Sequence, residues 1–205
     1  MTLRPSVAIF DYGIGNLRSA QKALEFAGAE VTLTNDKSIL KESDGVVLPG
    51  VGAFGRCAEA LIDSDLFALA AAMAKEAASG CKPFLGICLG AQMLANNLGG
   101  SVQRAKDKSF EIGFYDINPV KAGLKLFQGQ KTFFQWHKEG FSTPSTCELL
   151  ATGDTFQEQA FQYKNAYGIQ FHIEIKDTTV NEWGCVPEYK KALEDQLLSL
   201  IHISE

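Results

Sequence analysis

The segment Gly86–Gly90, with the sequence GICLG, has the pattern of a nucleophile elbow. In this motif a sharp turn between a strand and a helix presents a central nucleophile, and flanking glycines permit the tight turn. The apolar run Pro83–Ile87 leads into Cys88, and a helical pattern follows it. The start of that helix supplies free N–H groups and a positive dipole end, which favour a thiolate. We therefore predict that Cys88 is a nucleophile; a structural cysteine in a glycine-rich turn is the alternative.

A cysteine nucleophile needs a base, and the chain has three histidines. His172 precedes Glu174 by two residues, and in an extended segment residues two apart face the same way. The glutamate would then orient the imidazole and stabilise the imidazolium form. His137 is a rival base, although its aromatic neighbours favour a place in a pocket wall. His202 lies near the terminus and is predicted to be a bystander.

Donors for an oxyanion are expected in the loop Pro49–Phe54, which follows the apolar run Gly45–Leu48. Its glycines, Gly50 and Gly52, allow the backbone to approach a ligand closely and to turn an N–H inward. The N–H of Leu89, directly after the predicted nucleophile, would be the second donor. A plain turn at the end of a strand is the alternative for this loop.

The segment Asp11–Arg18 resembles a dinucleotide-binding loop, because it lies between a strand and a helix and contains a G-x-G pattern. Its sixth position is Arg18 instead of glycine, and no acidic residue is clearly placed at the end of a second strand, so this function is disfavoured. Two residues such as His172 and Glu174 do not make a metal site. We expect neither a cofactor nor a metal.

The elements that position these residues are predicted to form one α/β domain over residues 1–205. In the first half, continuous apolar strands alternate with helical patterns, which indicates a mostly parallel sheet with helices on both faces. Asn16 is expected to cap the first helix. The second half predicts antiparallel additions to this sheet and a closing helix around Tyr189–Ile201. The expected strands of this half are Phe110–Asn118, Lys131–Trp136, Glu148–Thr152, Gln159–Tyr163 and Tyr167–His172.

Composition limits the possible partners. The chain has 205 residues, of which 46% are hydrophobic and 21% charged, as is ordinary for a globular protein. The net charge of −5 and the lack of a basic run disfavour nucleic acid as a partner. No apolar run reaches the roughly 18 residues of a membrane helix. Five cysteines without a C-x-x-C pair or a signal peptide predict reduced thiols and a cytoplasmic location.

Together, Cys88, the late His172-x-Glu174 segment and the Pro49–Phe54 loop resemble the class I glutamine amidotransferases. The resemblance implies a flavodoxin-like α/β fold and hydrolysis of glutamine to glutamate and ammonia by a Cys88–His172–Glu174 triad. It further implies that Gly50, Gly52, Leu89 and Gln92 bind glutamine or its oxyanion. Ile173 stands where the family usually has proline, so a backbone constraint is lost but no catalytic group.

Different parts of the chain resemble different subfamilies. Residues 7–57, with Asp11–Leu17 and Leu48–Gly55, resemble the glutaminase subunit of imidazole glycerol phosphate synthase. That likeness implies a heterodimer with a cyclase that consumes the ammonia in histidine biosynthesis. From Gly99 onward, segments such as Phe110–Gly113 and Gln135–Phe141 resemble stand-alone or GMP-synthetase-like amidotransferases. Another cysteine hydrolase on the same scaffold, and a catalytically silent module that docks to a synthase, are the remaining alternatives.

Overall fold

The computed structural model describes residues 4–51 and 54–175, and the chain forms two compact units, residues 1–173 and 174–205. Apart from Glu174 and Ile175, which are buried, the described residues belong to the first unit. Its helices are α1 Leu17–Phe26, α2 Lys37–Glu42, α3 Phe54–Asp63, α4 Phe67–Ser79, α5 Leu89–Asn97 and α6 Ala122–Phe127.

Twelve strands lie in the described part of the chain. They are β1 Ser6–Phe10, β2 Glu30–Thr34, β3 Gly45–Leu48, β4 Phe84–Ile87, β5 Val102–Arg104, β6 Glu111–Asp116, β7 Asn118–Pro119, β8 Thr132–His137, β9 Glu139–Phe141, β10 Glu148–Thr152, β11 Ala160–Tyr163 and β12 Ala166–Ile169. The strands predicted over Gly45–Leu48 and Glu148–Thr152 have these bounds in the structure.

Eight of the strands form one sheet in the order β2-β1-β3-β4-β12-β11-β10-β7. The first five strands of this order run parallel, and β11, β10 and β7 extend the sheet with antiparallel pairings. The parallel part has the strand order of a flavodoxin-like sheet, in which ligands bind outside the carboxyl ends of the strands. The predicted fold class is therefore confirmed.

Alternate residues of the parallel strands enter two separate apolar cores, one on each face of the sheet. Phe10, Leu48 and Phe84 pack in the core that also contains residues of α3, α4 and α5. Ile9 and Val47 pack in the other core with residues of α1. Because side chains alternate between the faces of a strand, apolar residues at consecutive positions require cover on both faces.

The pairing of strands in the second half of the chain differs in part from the prediction. The strand predicted over Tyr167–His172 ends at Ile169; it pairs antiparallel with β11, as predicted, but in parallel with β4 on its other side. Strands β6 and β8 form a separate two-stranded sheet, as do β5 and β9. Pairing partners depend on contacts between distant residues, which a local apolar pattern does not specify.

Smaller differences concern helices. Asn16 precedes α1, but its side chain makes no capping hydrogen bond. The short helix α2 was not predicted, although Asp36 accepts a hydrogen bond from the backbone N–H of Ser38, as a helix-capping residue does. The short helix α6 and strands β5 and β9 were not predicted either. The predicted closing helix Tyr189–Ile201 lies outside the described residues, as do Cys185 and His202.

Candidate active site

Cys88 occupies the predicted elbow. Strand β4 ends at Ile87, α5 begins at Leu89, and Cys88 between them has φ 52° and ψ −105°. A residue other than glycine in this region of positive φ is strained, and such strain is concentrated at functional sites. Cys88 is the N-cap of α5, so its side chain lies at the end of the helix that carries free N–H groups. The predicted strand–turn–helix context is confirmed.

The glycines on either side of Cys88 are required by close packing. A Cβ on Gly90 would overlap the carbonyl oxygen of Leu48 in β3, and a Cβ on Gly86 would overlap the backbone of Gly90. The first turn of α5 therefore lies directly against the neighbouring strand. This close approach fixes the position of Cys88 at the carboxyl edge of the sheet.

A methyl group at Gly90 is therefore expected to destabilise the protein. We expect Gly90→Ala to lower the free energy of unfolding by about 1–3 kcal/mol, because backbone atoms of β3 or α5 must shift. Urea unfolding measures this change. Gly55→Ala in α3 is the matched control: nothing lies within 4 Å of its added Cβ, so a neutral or slightly stabilising effect is expected. Equal stability of the two variants would contradict the close packing.

His172 lies beyond a strand that is a direct neighbour of the one leading to Cys88. Ile169, the last residue of β12, pairs with Ile87, and the backbone N–H of Cys88 donates to the carbonyl of Ile169 at 2.7 Å. His172 follows three residues later and is buried. The parallel pairing of β4 and β12 thus brings both predicted residues to one edge of the sheet.

Strand β8 contacts both residues. The backbone N–H of His172 donates to the carbonyl of Phe134 at 2.8 Å, and the thiol of Cys88 lies 3.9 Å from the carbonyl of Trp136. His172 pairs with Phe134 as an isolated antiparallel bridge instead of belonging to a longer strand. The prediction that a regular strand carries His172 is therefore wrong. Glu174, two residues later, is buried and opens the second unit.

Two buried glutamines line the nucleophile. The Gln170 Nε2 lies 3.6 Å from the Cys88 sulfur, and its Oε1 accepts from the Nε2 of Gln92 at 3.3 Å. Gln92 also donates to the carbonyl of Glu139 at 2.7 Å. Gln92 was predicted to bind glutamine, whereas Gln170 was missed. The sequence signal for Gln170 was its position as a polar residue inside an otherwise apolar segment. A polar residue that is buried is informative about function.

His137 lies in a buried polar cluster instead of in an open pocket wall. Its Nδ1 is 2.9 Å from the Glu139 carbonyl, and its Nε2 is 2.9 Å from the Gln135 Oε1 and 3.0 Å from the Glu111 Oε2. Gln159 donates to the same Glu111 carboxylate at 3.0 Å. Both ring nitrogens therefore have oxygen atoms of this cluster as partners.

The structure brings two of the predicted oxyanion donors together. A Cβ on Gly50 would lie 2.7 Å from the Cβ of Leu89, so the loop after β3 touches the residue that follows Cys88. Leu89 is fully buried at the start of α5. Gly52, the other predicted glycine of this loop, lies outside the described residues.

The described residues were also compared with the requirements of a metal site, a membrane-spanning helix and disulfide bonds. Within 4–51 and 54–175, no group of three or more His, Cys, Asp or Glu side chains is arranged to hold a metal ion. No described helix combines the length and apolar character needed to cross a lipid bilayer. Four of the cysteines are described, and all four are free thiols.

A cysteine elbow at the carboxyl edge of a flavodoxin-like sheet, with a buried histidine three residues beyond the adjacent strand, is the arrangement of a cysteine-dependent hydrolase. Comparison with known proteins identifies the family within this class. The family model of class I glutamine amidotransferases matches residues 8–182. The chain belongs to the class I glutamine amidotransferase family.

The most similar curated relatives include HisH subunits of imidazole glycerol phosphate synthase. The chain is 48% identical over 186 residues to the HisH of Bacillus mycoides (strain KBAB4), with 82% of this chain and 87% of the relative covered. It is 50% identical over 88 residues to the HisH of Bacillus cereus (strain G9842). That second alignment covers 43% of this chain and 40% of the relative's length.

Solved structures with the same fold come from several amidotransferases. A glutamine amidotransferase from Thermotoga maritima has a TM-score of 0.74 and 26% identity, covering 95% of this chain and 86% of the other. A protein from Thermoplasma acidophilum, described as one chain of a GMP synthase, has a TM-score of 0.70 and 26% identity, covering 86% of this chain and 87% of the other. The fold is therefore shared by relatives with different named functions.

Proposed function

We propose that this chain is a glutaminase that hydrolyses glutamine with the residues Cys88, His172 and Glu174. The observation that carries the proposal is the strained backbone of Cys88 between β4 and α5, beside the strand that leads to His172. Family membership supports glutamine as the substrate. We also propose that residues 1–205 form one amidotransferase domain; the family match over residues 8–182 supports this, because it continues past residue 173.

In the proposed reaction, His172 takes the proton of the Cys88 thiol and the sulfur attacks the side-chain amide carbon of glutamine. The carbonyl oxygen becomes an oxyanion, which the backbone N–H groups of Leu89 and of the Gly50–Gly52 loop stabilise. His172 then gives its proton to the departing nitrogen, and ammonia leaves a thioester behind. Water, deprotonated by His172, attacks the thioester and releases glutamate. Glu174 orients the imidazole, and neither a cofactor nor a metal takes part.

We further propose that the ammonia passes to a synthase partner, as part of an imidazole glycerol phosphate synthase. The 48% identity to a HisH protein over most of the chain supports this assignment. The segment Tyr12–Arg18 follows β1 at the same edge of the sheet as Cys88 and contains exposed residues, among them Gly13 and Arg18. This segment is the proposed contact with the cyclase partner.

The partner is expected to stimulate glutamine hydrolysis. We expect glutamate release by the purified chain to be slow alone and to rise about tenfold or more when the cyclase of the same organism and its ligand are added, because docking would favour the active conformation of the oxyanion loop. An enzyme-coupled assay for glutamate, with and without the cyclase, measures the change, and co-elution on size exclusion tests the complex.

Full activity of the chain alone, without stimulation or co-elution, would reject the histidine-pathway assignment. It would favour the second candidate, a stand-alone or GMP-synthetase-like amidotransferase. The structural similarity to the Thermoplasma acidophilum protein supports that candidate. Arg18→Glu is an informative variant in the same assay, because it reverses a charge on the proposed contact but leaves the buried site unaltered.

A further inference from the structure

The sulfur of Cys88 has two polar neighbours that favour opposite protonation states. In the thiol form, the sulfur donates its proton toward the carbonyl of Trp136 at 3.9 Å, and this hydrogen bond is lost when the proton leaves. The Gln170 Nε2 lies 3.6 Å from the same sulfur, which accepts its N–H. A hydrogen bond to a charged acceptor is about twice as strong as one between neutral groups, so the contact with Gln170 strengthens when the thiol becomes a thiolate.

The surrounding hydrogen bonds determine which end of the Gln170 amide faces the sulfur. The Glu139 carbonyl can only accept, so the end of the Gln92 side chain that lies 2.7 Å from it must be the NH₂ group. The same Gln92 Nε2 lies 3.3 Å from the Gln170 Oε1, and a reversed Gln170 amide would place two donors against each other. The NH₂ group of Gln170 is therefore the end that faces Cys88.

Backbone hydrogen bonds and burial hold this contact in place. Gln170 directly follows β12, and its backbone N–H donates to the carbonyl of Gln159 at 2.8 Å. The backbone N–H of Cys88 donates to the carbonyl of Ile169, the residue before Gln170, at 2.7 Å. Gln170 is fully buried and Cys88 is 1% exposed. Because little water competes for a buried donor, its hydrogen bond to the sulfur is stronger than the same bond at the surface.

We propose that Gln170 is a further catalytic residue, which stabilises the thiolate of Cys88 through its side-chain N–H. Gln170 qualifies as catalytic because it touches the reacting sulfur, and its role in hydrolysis rests on the proposed glutaminase function. The thiol proton goes to His172, and Gln170 stabilises the negative sulfur until the C–S bond to the substrate forms. When water attacks the thioester, the C–S bond breaks and its electron pair returns to the sulfur, so Gln170 stabilises the thiolate a second time.

Other titratable groups also act on Cys88, and a test must hold them constant. Tyr12, which precedes α1, and Cys57 of α3 both interact electrostatically with Cys88. Burial raises the pKa of Tyr12 well above its ordinary value and the pKa of Cys57 to about 11, so both are uncharged below about pH 9. The other buried side chains of the described chain that can titrate are retained in every variant below; they are Glu111, His137, His172 and Glu174. A difference between the variants therefore reports the Gln170 amide.

The test follows the thiolate of Cys88 in the full-length chain by its ultraviolet absorbance between about pH 5 and pH 9. The same titration with Cys88→Ser added to each variant is subtracted, so that only this sulfur is counted. Gln170→Met replaces the amide by an unbranched apolar chain of similar length. We expect it to raise the midpoint of the thiolate titration by about one pH unit, because it removes a hydrogen bond to a charged group. The kcat for glutamine near neutral pH should fall about tenfold for the same reason.

Gln135→Met is the matched control. Gln135 is also fully buried, and its side chain forms hydrogen bonds with those of Gln159 and His137. The control variant should lose stability to a similar extent and keep the wild-type midpoint. Gln170→Leu repeats the test with a different shape, in case Gln170→Met does not fold, and should raise the midpoint in the same way. Thermal unfolding shows which variants are folded at the assay temperature.

An unchanged midpoint in a folded Gln170 variant would overturn the inference, as would an equal shift in Gln135→Met or a wild-type chain without a thiolate signal from Cys88. Failure of the proposed function has a different signature. In that case the wild-type chain would release glutamate no faster than Cys88→Ser. That result would overturn the role of Gln170 in hydrolysis even where the midpoint shifts as expected.

Discussion

Replacing Cys88 with serine is expected to lower the rate of glutamine hydrolysis by about 10⁴- to 10⁶-fold. A hydroxyl group at its ordinary pKa is a far weaker nucleophile than a thiol that loses its proton to a nearby base. The substitution changes one atom at a buried position, so the fold should persist. Glutamate release measures the rate, and circular dichroism and unfolding by urea verify the fold.

The other described cysteines provide controls for this result. Cys81 is exposed and Cys147 is partly buried, and their sulfur atoms lie beside the hydroxyl groups of Ser79 and Thr146. Cys81→Ser and Cys147→Ser should retain nearly full activity, and Cys57→Ser should change stability more than rate. Substantial activity in Cys88→Ser, or an equally severe loss in either control, would reject Cys88 as the nucleophile.

The second large effect is expected at His172. His172→Ala removes the group that takes the proton from Cys88 and returns it to ammonia, so the rate should again fall by about 10⁴- to 10⁶-fold. Glu174→Gln retains a side chain that can orient the imidazole and should be about 10- to 100-fold milder than His172→Ala. A pH profile of kcat/KM for the wild type and Glu174→Gln tests whether the glutamate supports the charged imidazole.

His137→Ala is the matched comparison for His172→Ala. It also removes an imidazole ring, in this case the one that contacts the buried Glu111. Loss of the ring leaves buried oxygen atoms without a hydrogen-bond partner, which costs about 1–3 kcal/mol, so we expect a loss of stability that exceeds any loss of kcat at low temperature. If His137→Ala were as inactive as His172→Ala is expected to be, and His172→Ala only mildly impaired, His137 would be the base instead.

The elbow was predictable because its signals are local. An apolar run, two glycines that flank a cysteine and a helical pattern all fall within residues 83–98, and close packing against β3 explains both glycines. The meeting of the Pro49–Val51 loop with Leu89 was predictable too, because carboxyl ends of parallel strands share one edge of a sheet. The roles of Cys88, His172 and Glu174 in the reaction stay predictions until the variants are measured.

The contacts around the nucleophile were harder to predict from the sequence. Gln170 reaches Cys88 across 82 residues of sequence, and Tyr12 reaches Pro49 across 37. Tyr12 lies in the segment that resembles a dinucleotide-binding loop, yet its hydroxyl donates to the carbonyl of Pro49 in the loop after β3. A single buried polar side chain does not reveal its partner, because the partner depends on how distant segments pack.

The sequence by itself determined the parallel α/β core, the elbow and the family resemblance, since these depend on alternation, on glycines and on short motifs. Only the tertiary structure decided that β12 pairs with β4, that His137 contacts Glu111, and that Tyr12 and Cys57 donate hydrogen bonds to the loop after β3. The physical reason is that local patterns state which residues must be buried, whereas strand order and hydrogen bonds between distant segments are selected by the free energy of the whole packed chain.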